Sequence, residues 1–288
     1  MRRLTEAVRS WPMQPLIREL EECVVDGWPA AETVELDGWL LRATSGFTHR
    51  GNSVATVAPT LAGRQPASSD VDQQVALALR LARVEAWYAG HGLPPMFQIG
   101  PASLPTELDQ TLAARGYQRT GEALLAVATA EELIEATQHK HGFEVSVSSS
   151  GSPAWLELGT QAGRLGTYPA AYHGVLRRLG SRCRFVLARD GKGTPVASCL
   201  IVSAEDRLAV HSMVTLPAAR RRGAARAMLQ ALARAARGEA TRELYLLVET
   251  DNEPARALYT KCGFRELYTY HYRVLAIAGD AGASLASL

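Results

Sequence analysis

The chain has 288 residues, of which 47% are hydrophobic, 21% charged and 7% aromatic, and it carries a net charge of +2. That length holds two domains of ordinary size or one large one. The composition excludes disorder along the whole chain, and so small a positive excess gives no electrostatic case for nucleic acid.

Lys140, Lys192 and Lys261 are the three lysines among 31 basic residues. Arginine and alanine richness of this kind points to a GC-rich bacterial genome. Cys23, Cys183, Cys199 and Cys262 have neither metal-ligand nor redox spacing. No charged-then-apolar leader precedes a cleavage site, and no apolar run is long enough for a bilayer. The expectation is a reduced, cytoplasmic, bacterial protein with no metal and no membrane partner.

In chain order, an amphipathic helix is predicted from Pro15 to Val25, followed by strands at Gly38–Ala43 and Asn52–Val57. The Ser/Pro/Gly-rich stretch Pro59–Ser69 reads as a loop. Asp70 caps a long helix to about Tyr88, closed by Gly90 and Gly92. A strand at Met96–Ile99, a helix at Thr106–Arg115 and a strand at Glu122–Ala128 complete the first half. Thr129 with Glu132 is a capping-box pattern for a short helix ending before Gly142. Strand Phe143–Val147 then runs into a Ser-rich segment ending at Pro153. The domain boundary is placed near residue 140, giving an N-terminal domain 1–140, a C-terminal domain 141–278 and a frayed tail 279–288.

The second half alternates more regularly. Helices are predicted at Ala154–Gln161 and Ala170–Leu179, and strands at Arg184–Ala188, Pro195–Ser203 and Leu208–Val214. A helix at Arg221–Arg237, a strand at Leu244–Glu249, a helix at Glu253–Cys262 and a strand at Phe264–Val274 follow. Strands separated by helices define an α/β layered fold.

After strand Leu208–Val214 the chain reads Thr215-Leu216-Pro217-Ala218-Ala219-Arg220-Arg221-Arg222-Gly223-Ala224-Ala225-Arg226. A helix beginning there offers unpaired amides and a positive dipole end, which suit a diphosphate. Gly223 and Ala225 would let phosphates approach the backbone. A solvated arginine face is the plainer alternative. The segment resembles the acetyl-CoA-binding signature of the GNAT acetyltransferases, met here by Arg220, Gly223 and Ala225. A second piece, Asn252-Glu253-Pro254-Ala255-Arg256-Ala257-Leu258-Tyr259 closed by Cys262-Gly263-Phe264, is similar to the last helix of that family. Its residues agree independently: Asn252 suits an N-cap, Pro254 the first turn and Gly263 the left-handed position after the helix.

The resemblance covers about residues 141 to 275 and implies a mixed, splayed central sheet flanked by helices. It implies acetyl-CoA as co-substrate and direct transfer to an amine on a small molecule or a peptide, by a monomer or homodimer. Pantetheine would pair with the main chain at Met213 and Val214. The amides of Arg221, Arg222, Gly223, Ala224, Ala225 and Arg226 would hold the diphosphate, and Asn252 would reach toward the cofactor arm. Tyr259 matches the proton donor to the leaving thiolate, packing beside the cofactor being its alternative. No carboxylate stands on the strand before the signature, which departs from the usual pattern. His211, Glu249 and a water chain are the candidate bases. Another acyl-CoA-dependent transfer, or a non-catalytic CoA-binding role, are the rival functions.

The segment Leu112–Arg119 resembles Tyr259–Glu266 at an offset of 147 residues. The phosphate-binding positions become Gln73, Ala76 and Ala78, and Leu112 replaces Tyr259. The expectation is a degenerate GNAT-like N-terminal half that has lost the cofactor, with a coincidental Gly-aromatic helix end as the alternative. The polar segment Gly46–Ser53 is read either as lining a substrate cleft or as a plain hairpin loop.

Overall fold

The computed structural model describes residues 13–57, 70–138, 142–162, 168–239 and 241–276. The chain divides into two compact units, residues 1–121 with 270–288, and residues 122–269. The divisions therefore fall at Gly121/Glu122 and Thr269/Tyr270, and residue 140 lies inside the second unit. The segment 59–69 and the tail 279–288 lie outside the described residues.

The first unit opens with helix α1 (Met13–Asp26). Strands β1 (Glu32–Leu36) and β2 (Trp39–Ala43) form a hairpin in which Leu36 faces Trp39. Asp37 and Gly38, with φ of 48° and 87°, make the two-residue turn, as an Asp-Gly pair does where both turn residues must be left-handed. β1 has no counterpart in the sequence reading. Its residues alternate poorly and only Leu36 is buried, so no hydrophobic period marks it. Strand β3 (Val54–Ala55), helix α2 (Asp70–Gly90), strand β4 (Met96–Ile99) and helix α3 (Leu108–Ala114) follow. The described part of α2 opens at Asp70, and the residues before it lie outside the described residues. The last strand among the described residues, β11 (Arg265–Val274), pairs antiparallel with β4, His271 facing Ile99. Trp39, Leu41, Leu81, Val84, Tyr88, Phe97, Leu108 and Leu112 form the core.

The second unit is a mixed sheet in the order β5-β10-β9-β8-β7-β6. Its strands are β5 (Gln118–Ala128), β6 (Glu144–Ser148), β7 (Cys183–Arg189), β8 (Pro195–Ala204), β9 (Arg207–Thr215) and β10 (Glu243–Glu249). Its helices are α4 (Ala130–Ala136), α5 (Pro153–Ala162), α6 (Pro169–Leu179), α7 (Ala224–Gly238) and α8 (Glu253–Lys261). The capping box at Thr129 and Glu132 is present in both directions. α7 buries Ala227, Met228, Leu229, Leu232, Ala233 and Ala236 against the sheet, the spacing of one helical face.

Each unit thus completes its sheet with a strand that follows the other half's last helix: β11 pairs with β4 in the first unit, and β5 with β10 in the second.

Candidate functional site

The first half of β9 is bonded on both sides, parallel to β10 from Glu243↔Arg207 to Leu246↔Val210 and antiparallel to β8. The β8 register then slips: Leu200 faces His211 but Ser198 faces Val214. Ser212 and Met213 together oppose Cys199, which is a β-bulge, and Ser212 has a φ of 50°. The Cys199 carbonyl accepts a hydrogen bond from Trp155 Nε1 at 2.9 Å. The indole is stacked on Tyr172 at 6.2 Å and meets the edge of Phe185, and the Tyr172 hydroxyl lies beside Ser212. Trp155 and Tyr172, on α5 and α6, therefore hold the bulge from one side. The sequence offers no spacing signal for either.

Beyond the bulge the parallel pair ends. β10 runs on to Glu249 along β5, where Glu249 faces Ala123, while β9 runs on to Thr215 along β8, where Thr215 faces Ala197. The parallel pairing of β9 with β10 stops at Leu246↔Val210.

At the end of β9 the chain makes a single 3-10 turn, Pro217–Ala219, and Arg220 Nε donates to the Thr215 carbonyl at 3.2 Å. Arg221 takes a φ of 63° and Gly223 a φ of 98°. The left-handed conformation costs a residue with a Cβ roughly 1–2 kcal/mol, and such turns aim successive N–H groups at one point. Gly223 is the N-cap, and the first helical bond of α7 runs from Ala227 N to Gly223 O at 2.9 Å. The helix begins at Ala224, three residues later than the predicted Arg221, because the left-handed Arg221 cannot be helical. The amides of Ala224, Ala225 and Arg226 are left without intrahelical partners. Arg220, Arg221 and Arg222 are exposed, Ala225 and Arg226 half-buried, and Ala224 is packed into the core. The Arg226 side chain lies beside the Cys262 thiol.

The other candidates come from the neighbouring elements. Asn252 caps α8, its Oδ1 accepting from Ala255 N at 3.2 Å, and Pro254 lies in the first turn. Tyr259 is half-buried, its ring 5.7 Å from Phe264, and its hydroxyl donates to Met213 Sδ at 3.7 Å. Burial, reinforced by the Cys199 and Cys262 thiols, raises the Tyr259 phenol above the ordinary tyrosine value, so it is protonated at neutral pH. Met213 and Val214 are half-buried at the strand end. His211, just before the bulge, is 4% exposed, and Glu249 is half-buried at the end of β10. The structure therefore brings Tyr259 to Met213 and sets the Gly223 turn at the end of the same strand. Among the described residues no group of His, Cys, Asp and Glu side chains could hold a metal ion, and no helix is long and apolar enough to cross a membrane.

This fold is shared with a GCN5-related N-acetyltransferase from Kribbella flavida, over 97% of this chain and 99% of that one, at a TM-score of 0.69 and 15% identity. A tandem GNAT protein from the clavulanic acid biosynthesis pathway aligns over 69% of each chain, at a TM-score of 0.52 and 13% identity. In sequence, a Bacillus subtilis (strain 168) protein described as an uncharacterized N-acetyltransferase, YobR, is 27% identical over 261 residues, 90% of this chain and 98% of that protein. The chain is an acetyltransferase of the GNAT type. It belongs to the family described as "Probable histone acetyltransferase Rv0428c C-terminal", which it matches over residues 15–273.

Proposed function

We propose that the second unit transfers an acetyl group from acetyl-CoA to a primary amine by direct attack. The observation that carries this reading is the conjunction at the end of β9, where the strand parts from β10, turns through left-handed Gly223 into α7, and meets the Tyr259 hydroxyl. The diphosphate lies on the amides from Arg221 to Arg226, and the pantetheine arm runs along the main chain of Met213 and Val214. Asn252 spends its oxygen on the helix cap, which leaves its amide nitrogen for the cofactor arm. The amine nitrogen bonds to the thioester carbon as the carbon–sulfur bond breaks, and Tyr259 protonates the departing sulfur. Glu249, His211 or a water chain takes the amine proton.

Release of free thiol from acetyl-CoA, measured over a panel of small amines, polyamines and lysine-bearing peptides that includes a histone tail, tests the reading. Turnover with at least one amine is expected. Retained acetyl-CoA binding without turnover on any of them would turn the assignment into a CoA-binding role. Faster turnover with a longer acyl chain would change the acyl group.

The N-terminal half reads as a worn copy of the same plan. Around Gly116 the amides of Arg115, Gly116 and Tyr117 bond to the carbonyls of Thr111, Ala113 and Leu112. Around Gly263 those of Cys262, Gly263 and Phe264 bond to Leu258, Thr260 and Tyr259, the same pattern 147 residues on. Both glycines are left-handed, with φ of 89° and 100°. At the positions matching the signature, however, Ala76 and Ala78 lie inside the continuous helix α2. Their amides belong to the helical ladder, so nothing remains there to bind a phosphate.

A further inference from the structure

Among the described residues, the first unit buries a positive charge without an acidic partner. Arg42, on β2, is 1% exposed. Its Nε donates to the Ser53 carbonyl at 2.9 Å, and its Nη2 donates to Ser53 Oγ at 3.0 Å and to Gln98 Oε1 at 3.1 Å. All three acceptors are neutral, and Nη1 is buried with no hydrogen-bond partner among the described residues. Among the described residues, the groups that act on the guanidinium are Tyr272, Tyr88, Arg50 and Tyr270, none of them a carboxylate.

A guanidinium cannot shed its proton as a buried lysine or histidine can. Burying one without a counter-charge carries a large desolvation penalty that neutral acceptors only partly offset. The second unit shows the ordinary solution: Arg207, 2% exposed, is paired with Glu243 at 3.4 Å and Asp206 at 3.2 Å. Arg42 has the burial of Arg207 and lacks its carboxylates.

The surroundings are built to hold it. Register places Ser53, Gln98, Tyr272 and Arg42 on one face of the sheet. Above them the segment Gly46–Ser53, already unusual as sequence, folds around Asn52, whose Oδ1 accepts from Thr44 N and Gly46 N. The Asn52 Nδ2 donates to the Phe47 and Thr48 carbonyls. The same loop carries His49, 5.0 Å from the Tyr272 ring, and Arg50, 4.8 Å over the Trp28 ring. Both are half-exposed, so the cluster extends from the buried guanidinium to the surface.

We propose that Arg42 anchors a binding site for a carboxylate-bearing small molecule in the N-terminal unit, the carboxylate bonding to Nη1 and supplying the missing counter-charge. One guanidinium nitrogen remains, which fits a singly charged, planar anion better than a phosphate. The site is independent of the acetyl-CoA reading.

Thermal unfolding of the full chain is measured in sodium formate, sodium acetate and sodium phosphate against sodium chloride at equal ionic strength. Gly223→Glu serves as the background, so that the α7 turn does not contribute. A saturable rise in Tm with formate and acetate is expected, as for any ligand that binds only the folded state, and it should vanish in Arg42→Met. Should that variant not fold, Gln98→Glu decides, because it places a carboxylate of its own beside Nη2. It should raise Tm in chloride alone and abolish the formate response. An equal formate response in the background and in Gln98→Glu, no response at all, or a response to phosphate alone would each overturn the proposal. A crystal of the parent soaked in formate gives the direct reading. Density for a carboxylate within hydrogen-bond distance of Arg42 Nη1 supports the site, and formate seen only elsewhere rejects it.

Discussion

Tyr259 and Gly223 test separate parts of the chemistry. Tyr259→Phe keeps the ring against Phe264 and removes only the hydroxyl. If that hydroxyl protonates the leaving thiolate, kcat falls roughly 100- to 10,000-fold. The dissociation constant for acetyl-CoA stays unchanged, as for an interaction made in the transition state. A variant that turns over like the parent leaves Tyr259 with packing alone. Gly223→Glu tests the proposed cofactor site, since it would set a carboxylate at the helix amides assigned to the diphosphate and forces a side chain into a φ of 98°. Loss of acetyl-CoA binding by calorimetry is expected. Gly223→Ala carries the same backbone strain without the charge and should bind measurably. Equal affinity in the Glu variant and the parent would move the phosphates elsewhere.

The bulge in β9 makes its prediction at the level of elements. Trp155→Phe retains most of the stacking on Tyr172 but takes the N–H away from the Cys199 carbonyl. A buried carbonyl losing its donor costs about 1–3 kcal/mol, readable as a lower urea midpoint. If the bulge shapes the strand that carries pantetheine, acetyl-CoA affinity weakens as well. Unchanged affinity with lowered stability would leave Trp155 a packing residue. Elements with a local chemical cause were legible in the sequence. The Thr129 box, the Asn252 cap and the Gly116 and Gly263 helix ends are written within a few residues, and each occurs in the structure. β1 left no period to read, and the link from Trp155 to Cys199 spans 44 residues, beyond any local pattern. A turn does precede the expected helix, but that helix begins at Ala224 because Arg221 is left-handed. No propensity scale anticipates that in an arginine.

For the whole molecule, titration calorimetry should give one acetyl-CoA per chain, because only the second unit has orphan amides at the signature turn. Two equivalent sites would contradict both the cofactor assignment and the worn copy. The first unit has its own electrostatic tie: Asp109 on α3 bonds Arg273 at 2.7 Å and His271 at 2.9 Å on β11. Arg273 chiefly, with help from His271 and against partial burial, lowers the Asp109 pKa to about 2. A carboxylate depressed in the folded state adds stability above its ordinary pKa near 4, and that stability is lost as pH falls through about 2. The Tm of Asp109→Asn should therefore lie below the parent's at neutral pH and converge with it between about pH 4 and pH 2. Parallel curves over that window would mean the pair contributes nothing to the pH dependence.

The placement of β11 beside β4 also sets an order of events during synthesis. The N-terminal unit emerges first from the ribosome but lacks a strand until residues 265–274 follow. At about 5–20 residues per second, translation of the intervening chain takes several seconds or more. Throughout that time the edge of β4 is an unpaired strand in a nascent chain, open to mispairing or to a chaperone. The first half to be made is thus among the last to be finished, and the buried Arg42 cluster, which includes Tyr272, is completed only with the final strand.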